Sequence, residues 1–162
     1  MKKRTYFDGL DEHGWPTPAE LEPYFIASPG RHSPLTWGSE WGELALEGVD
    51  GTGHLRSGEG RIDIRLTMVS NRYHGVLLLY RKWGAGHKAT YYSQGNLRRL
   101  REWVETRDGD LMPVGLFIPL REAWSAVREF IEQGGAQPRS ISWIAAKNLP
   151  PRTFPDPAER WS

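Results

Sequence analysis

Catalysis needs nucleophiles, acids, bases or metal ligands held close together, and in this 162-residue chain the side chains that could supply them are scattered. The five histidines, His13, His32, His54, His74 and His87, stand far apart, and none forms the H-x-x-x-H pair that sets two imidazoles on one helical face. There is no cysteine, which removes disulfides, thiolate zinc sites and thiol nucleophiles together. No G-x-S-x-G elbow is present to present a serine. Gly84-Ala85-Gly86-His87-Lys88 has the glycines and lysine of a phosphate loop, but not its spacing or the Ser or Thr after the lysine. It reads as a hairpin turn. The chain is therefore expected not to be an enzyme, and to use neither a metal nor a cofactor.

What remains is charge and aromatic surface. Arg98, Arg99 and Arg101, with Arg81, Lys82, Lys88, Tyr91 and Tyr92 nearby, mix cations and rings as single-strand nucleic-acid binders do. The same arginines have a plainer use, since Arg98 with Glu102 and Arg101 with Glu105 fall at the spacing of solvated helix pairs. Glu40, Glu43, Glu47 and Asp50 make an opposite cluster, readable either as the wet side of an edge strand or as a surface for a basic partner. Residues 1–50 carry four basic and nine acidic side chains, and residues 51–110 eleven and six, a polarity hidden by the net charge of +1. Such polarity can steer a charged partner.

Positioning these groups requires a frame, and the pattern specifies much of one. The length suits a single domain that buries roughly two-thirds of its unfolded surface. No apolar run spans a bilayer, and the basic tip at 1–16 has no apolar segment behind it, so a cytoplasmic location is expected and a secretory signal or membrane contact is not. Residues 1–16 lack periodicity and are expected to form an arm. Thr17-Pro18-Ala19-Glu20 has the cap, the first-turn proline and the acid of a capping box, with Pro23 close behind to break the turn. Residues 28–38 read as a Pro- and Gly-rich loop.

From Trp41 the period becomes two. Leu44 and Leu46 alternate with Glu43, Ala45 and Glu47, and Ile62, Ile64, Leu66 and Met68 with Arg61, Asp63, Arg65 and Thr67. Val76-Leu77-Leu78-Leu79-Tyr80 is an unbroken apolar run, suited to a central strand covered on both faces. With Ala89-Thr90-Tyr91-Tyr92 these predict an antiparallel meander. Asn96 is placed to cap a helix over 97–105, with Leu97, Leu100, Trp103 and Val104 inward. Val114-Gly115-Leu116-Phe117-Ile118 reads as a brief strand. Leu120, Ala123, Trp124, Val127, Phe130 and Ile131 predict a second buried helical stripe, stopped by Gly134 and Gly135 and followed by a strand carrying Ile141 and Trp143. The expected architecture is α+β: an antiparallel sheet of about five or six strands packed by helices at 97–105 and 120–133. Residues 1–146 form the domain, and 147–162 a proline-rich tail that docks through Phe154 or Trp161.

One stretch resembles a known family. Tyr91-Tyr92-Ser93-Gln94-Gly95-Asn96, Pro119-Leu120-Arg121-Glu122-Ala123, Arg128-Glu129-Phe130, Gly134-Gly135-Ala136-Gln137-Pro138 and Ser142-Trp143 are similar to the C-terminal signature of the family-one immunity proteins of bacterial polymorphic toxin systems. The likeness covers residues 91–143, and the basic segment between the motifs and the long tail depart from it. It implies a protein of interbacterial competition that binds a cognate toxin domain and blocks its active site. Toxins of this kind often act on nucleic acids, deaminases and nucleases among them. Trp41, Glu43, Glu47, Tyr91 and Tyr92 are the expected partner contacts, because aromatic anchors and desolvated charges dominate tight interfaces. The alternative is a nucleic-acid-binding module using the basic 81–101 region.

Overall fold

In the computed structural model, residues 1–26 and 40–156 are described. In chain order the elements are β1 (Lys2–Tyr6), α1 (Pro18–Leu21), β2 (Trp41–Val49), β3 (Ile62–Asn71), β4 (Gly75–Gly84), β5 (His87–Ser93), β6 (Trp103–Glu105), β7 (Leu111–Pro113), β8 (Phe117–Ile118), α2 (Leu120–Glu132) and β9 (Trp143–Ala145). The main sheet is antiparallel and seven-stranded, in the order β1-β2-β3-β4-β5-β9, with β8 paired to β4. The loop expected at 28–38 and the docking of Trp161 lie outside the described residues.

The β2-β3-β4-β5 meander forms where the period-two pattern placed it. A two-residue turn joins β4 to β5, with Ala85 and Gly86 both at positive φ, 48° and 87°, matching the twist of the strands it connects. The N-terminal segment is not a bare arm. Lys2, Arg4 and Tyr6 face the acidic side of β2, in register with Glu47, Ala45 and Glu43. Backbone bonds from Thr5 N–H to Glu12 and from Gly14 N–H to Lys3 then fold 12–14 over the sheet's outer edge. An edge covered this way cannot recruit a further strand at those residues.

One face of the sheet makes the larger core. Leu44, Leu46, Ile64, Leu66, Met68 and Leu78 pack against Ala123, Trp124, Val127 and Phe130 of α2. Phe130 sits 5.1 Å from Trp15, and the Tyr80 hydroxyl donates to Gly135 at 3.2 Å, tying the end of α2 to the sheet. Gly134 and Gly135 take positive φ, 65° and 96°, as the helix stop requires. The capping box at Thr17 and Glu20 is complete.

The second helix expected at 97–105 does not exist, which reduces the two packing helices to one, α2. Asn96 does cap, accepting the Arg98 N–H at 3.1 Å, but only a single 3-10 turn follows over Leu97–Arg99. Trp103, Val104 and Glu105 instead pair as β6 with β7, across the turn at 106–110. A lone helix this short has little stability of its own, so a ladder offering long-range partners prevails. Arg99 pairs with Glu102, three residues on, in place of the two four-residue pairs.

Candidate functional site

The second face of the sheet divides into two halves, and the strand register shows how. One row across it runs Trp41, Val69, Leu77 and Phe117, the next Tyr6, Glu43, Thr67, Leu79, Tyr92 and Ile144. The third runs Arg4, Ala45, Arg65, Arg81 and Thr90, and the last Lys2, Glu47, Asp63, Trp83 and Lys88. The apolar end is roofed by Leu100, Val104, Met112 and Leu116 from the 96–117 excursion and by Leu149 from the tail. Phe154 lies 5.0 Å from the Tyr92 ring, and the Trp103 indole donates to Thr153 at 2.9 Å, so residues 147–156 are laid onto the domain. The charged end has no such roof among the described residues.

On that open half the charges are organised. Arg4 Nε donates to Glu47 at 2.9 Å, with Arg61 at 3.9 Å from its other oxygen. Arg61 also donates to both oxygens of Asp63, through Nε at 2.9 and 3.2 Å and through Nη2 at 2.8 Å. Asp63 takes the Gly48 N–H as well, at 2.9 Å. These bonds, led by the hydrogen bond to Asp63, raise the Arg61 pKa above its ordinary value. Glu43 accepts from Thr67 at 3.2 Å and stands 3.6 Å from Arg65.

Arg65 and Arg81 are different. They face each other directly across β3 and β4, and both guanidinium groups lie over Trp83, at 5.7 and 4.8 Å from the ring. Arg65 Nε is buried with no hydrogen-bond partner, and no carboxylate pairs with Arg81 among the described residues. Two like charges set opposite each other on paired strands oppose folding. The indole recovers part of that through cation–π attraction.

The five expected contact residues divide between the faces. Glu43 and Glu47 lie on the open half with side chains 25% and 24% exposed, each tied to an arginine. Trp41 is half-buried against the roofed apolar cluster, beside a groove of about 570 Å³ lined also by Tyr6, Phe7, Asp8 and Glu43. Tyr92 shares that face, but its ring is spent under Phe154, and burial chiefly pushes its hydroxyl pKa up. Tyr91 points the opposite way, into the cluster that α2 covers. Consecutive strand residues take opposite sides, so Tyr91 and Tyr92 cannot serve one surface.

The acidic set is likewise not bare, since Glu40 accepts the Arg107 N–H at 2.9 Å and Asp50 pairs with Lys82 at 3.1 Å. The basic set over 81–101 is dispersed: Arg81 and Lys88 on the open face, Lys82 on the other, and Arg98, Arg99 and Arg101 in the excursion whose Leu100 roofs the apolar end. Sequence reasoning passed over Trp83 and the Arg65–Arg81 pair. Their signal lay in the i, i+2 spacing of Arg81 and Trp83 on a strand whose partner carries Asp63 and Arg65.

Among the described residues no three His, Asp or Glu side chains are grouped to hold a metal ion, and no helix is long and apolar enough to cross a membrane. The chain matches no protein-family model, no curated protein and no solved structure.

Proposed function

We propose that this chain is an immunity protein that binds a cognate polymorphic toxin domain in the cytoplasm and obstructs its active site, with the open half of the second sheet face as the contact surface. The observation that carries the reading is a division of labour. The residues that resemble the immunity family serve the scaffold: Ser93 and Gly95 sit where β4, β5 and β8 meet, Asn96 caps, α2 fills the larger core, and the Trp143 indole donates to Pro138 at 2.7 Å. What they build presents a surface rich in arginine with a half-buried tryptophan. That composition suits the centre of a protein interface, where Trp and Arg are enriched.

Glu43 and Glu47 do not meet a basic partner as free carboxylates in this reading, because their charge is already matched by Arg65 and Arg4. They orient guanidinium groups toward the partner. The same carboxylates, with Asp63, disfavour a phosphate backbone on this face.

The test is co-expression with the C-terminal toxin domain encoded beside this chain's gene. Restored growth and a stoichiometric complex on size exclusion are expected. Continued toxicity with no complex would remove the proposal, as would catalytic turnover of a substrate by the purified chain.

A further inference from the structure

We infer that Arg65, Arg81 and Trp83 form a carboxylate receptor, and that the toxin presents an aspartate or glutamate side chain to the two guanidinium groups at the centre of the interface. This rests on the immunity reading and names the chemistry of its contact. Three features carry it.

Arg65 and Arg81 are register partners on β3 and β4, and both guanidinium groups lie over the same ring. Arg4 and Arg61 are matched by Glu47 and Asp63, and Arg65 reaches Glu43 through one Nη at 3.6 Å. Among the described residues Arg81 has the Trp83 ring but no carboxylate, and Arg65 keeps a buried Nε without a hydrogen-bond partner. Arg81, a planar fork with no carboxylate among the described residues, set beside Arg65, whose contact with Glu43 is a long one, matches a carboxylate, which accepts two parallel N–H bonds from a guanidinium.

The tryptophan makes the site rigid. Both guanidinium groups lie over its ring, at 5.7 and 4.8 Å from the centroid, and cation–π attraction holds them there. An arginine held in advance loses less freedom on binding than a mobile one.

The surroundings select a single acidic side chain over a polyanion. Glu43 and Glu47 on β2 and Asp63 on β3 stand on the same face. A run of phosphates crossing the sheet would meet them, whereas one carboxylate on a protein surface avoids them.

The experiment measures dissociation of the complex with the neighbouring toxin domain for wild type, Arg65→Gln, Arg81→Gln and Trp83→Ala, with thermal melts of each. The arginine variants are expected to dissociate at least about thirtyfold faster, as hot-spot residues do. Arg81→Gln should keep or raise the melting temperature, since it removes one of two like charges; a purely structural arginine would lower it. Replacing the toxin's surface acids one at a time by their amides should find one whose effect vanishes in the Arg81→Gln background. Wild-type binding with unchanged dissociation in both arginine variants would overturn this inference and leave the immunity reading standing. So would the lack of any coupled acid. Wild-type failure to bind the toxin would sink both. Tighter binding of a 20-nucleotide single-stranded DNA than of the toxin, lost in Arg81→Gln and steeply salt-dependent, would reassign the site to phosphate.

Discussion

The Ser93 hydroxyl fills the one gap in the hydrogen bonding of β4 at Leu78: it accepts the Leu78 N–H at 2.9 Å and donates to Leu116 at 2.6 Å. Along that edge β4 pairs with β5 from Leu79 onward and with β8 at Leu77 and Val76, so Leu78 falls between two partners. Ser93 is fully buried, and its removal strands two polar groups away from water. Ser93→Ala is expected to cost about 1–3 kcal/mol in urea unfolding, whereas an exposed serine such as Ser125 should cost far less.

Gly95 and Gly115 let two backbones touch. The Gly95 N–H donates to Gly115 at 3.0 Å, and a Cβ on Gly95 would meet the Phe117 and Gly115 carbonyls, the latter at 2.7 Å. One on Gly115 would meet the Asn96 carbonyl at 2.7 Å. Gly95→Ala and Gly115→Ala should each destabilise by about 1–3 kcal/mol or more through forced backbone shifts. Equal stability to wild type in chemical denaturation would refute the close approach.

The roof over Tyr92 has a pH signature. Burial raises the hydroxyl pKa above its ordinary 10.0, with Arg81 opposing more weakly. The folded protein then keeps a proton that the unfolded chain gives up, so this contribution to stability is full below pH 10 and falls as pH rises beyond it. Tyr92→Phe should flatten the loss of melting temperature between about pH 10 and 11. Tyr80, raised chiefly by burial as well, leaves part of the slope in place.

Residues 147–156 behave as part of the domain. Ending the chain at 146 removes Phe154 from Tyr92 and the Thr153 carbonyl from Trp103, and bares the apolar cluster that Leu149 caps. The shortened protein should melt at lower temperature and bind a hydrophobic dye that wild type does not. An unchanged melt would mean that the tail only rests there.

Glu47→Lys would set a new cation beside Arg4 and Arg61. Both partners are partly solvated, so the loss in unfolding free energy should stay near ~1 kcal/mol and shrink at high salt. Glu47→Gln should cost less. A change insensitive to salt would argue against an electrostatic origin.

Local pattern alone determined the meander strands, the capping box at Thr17, the hairpin at Gly84 and the buried stripe of α2, because each depends on neighbours within a few residues. The signature around Ser93, Gly95 and Asn96 was visible as residues, but its purpose was not, since the partners at Leu78, Leu116 and Gly115 are far along the chain. Only tertiary structure turned 97–105 from helix to strand, by offering β7 as a ladder. It also decided which half of the second face is roofed. Period two states that Glu43, Arg65 and Arg81 share a side, but whether that side is roofed, and which charges meet, is set by strand register and by where the 96–117 excursion comes to rest. Those are long-range contacts, whose free energy depends on the whole sheet being assembled.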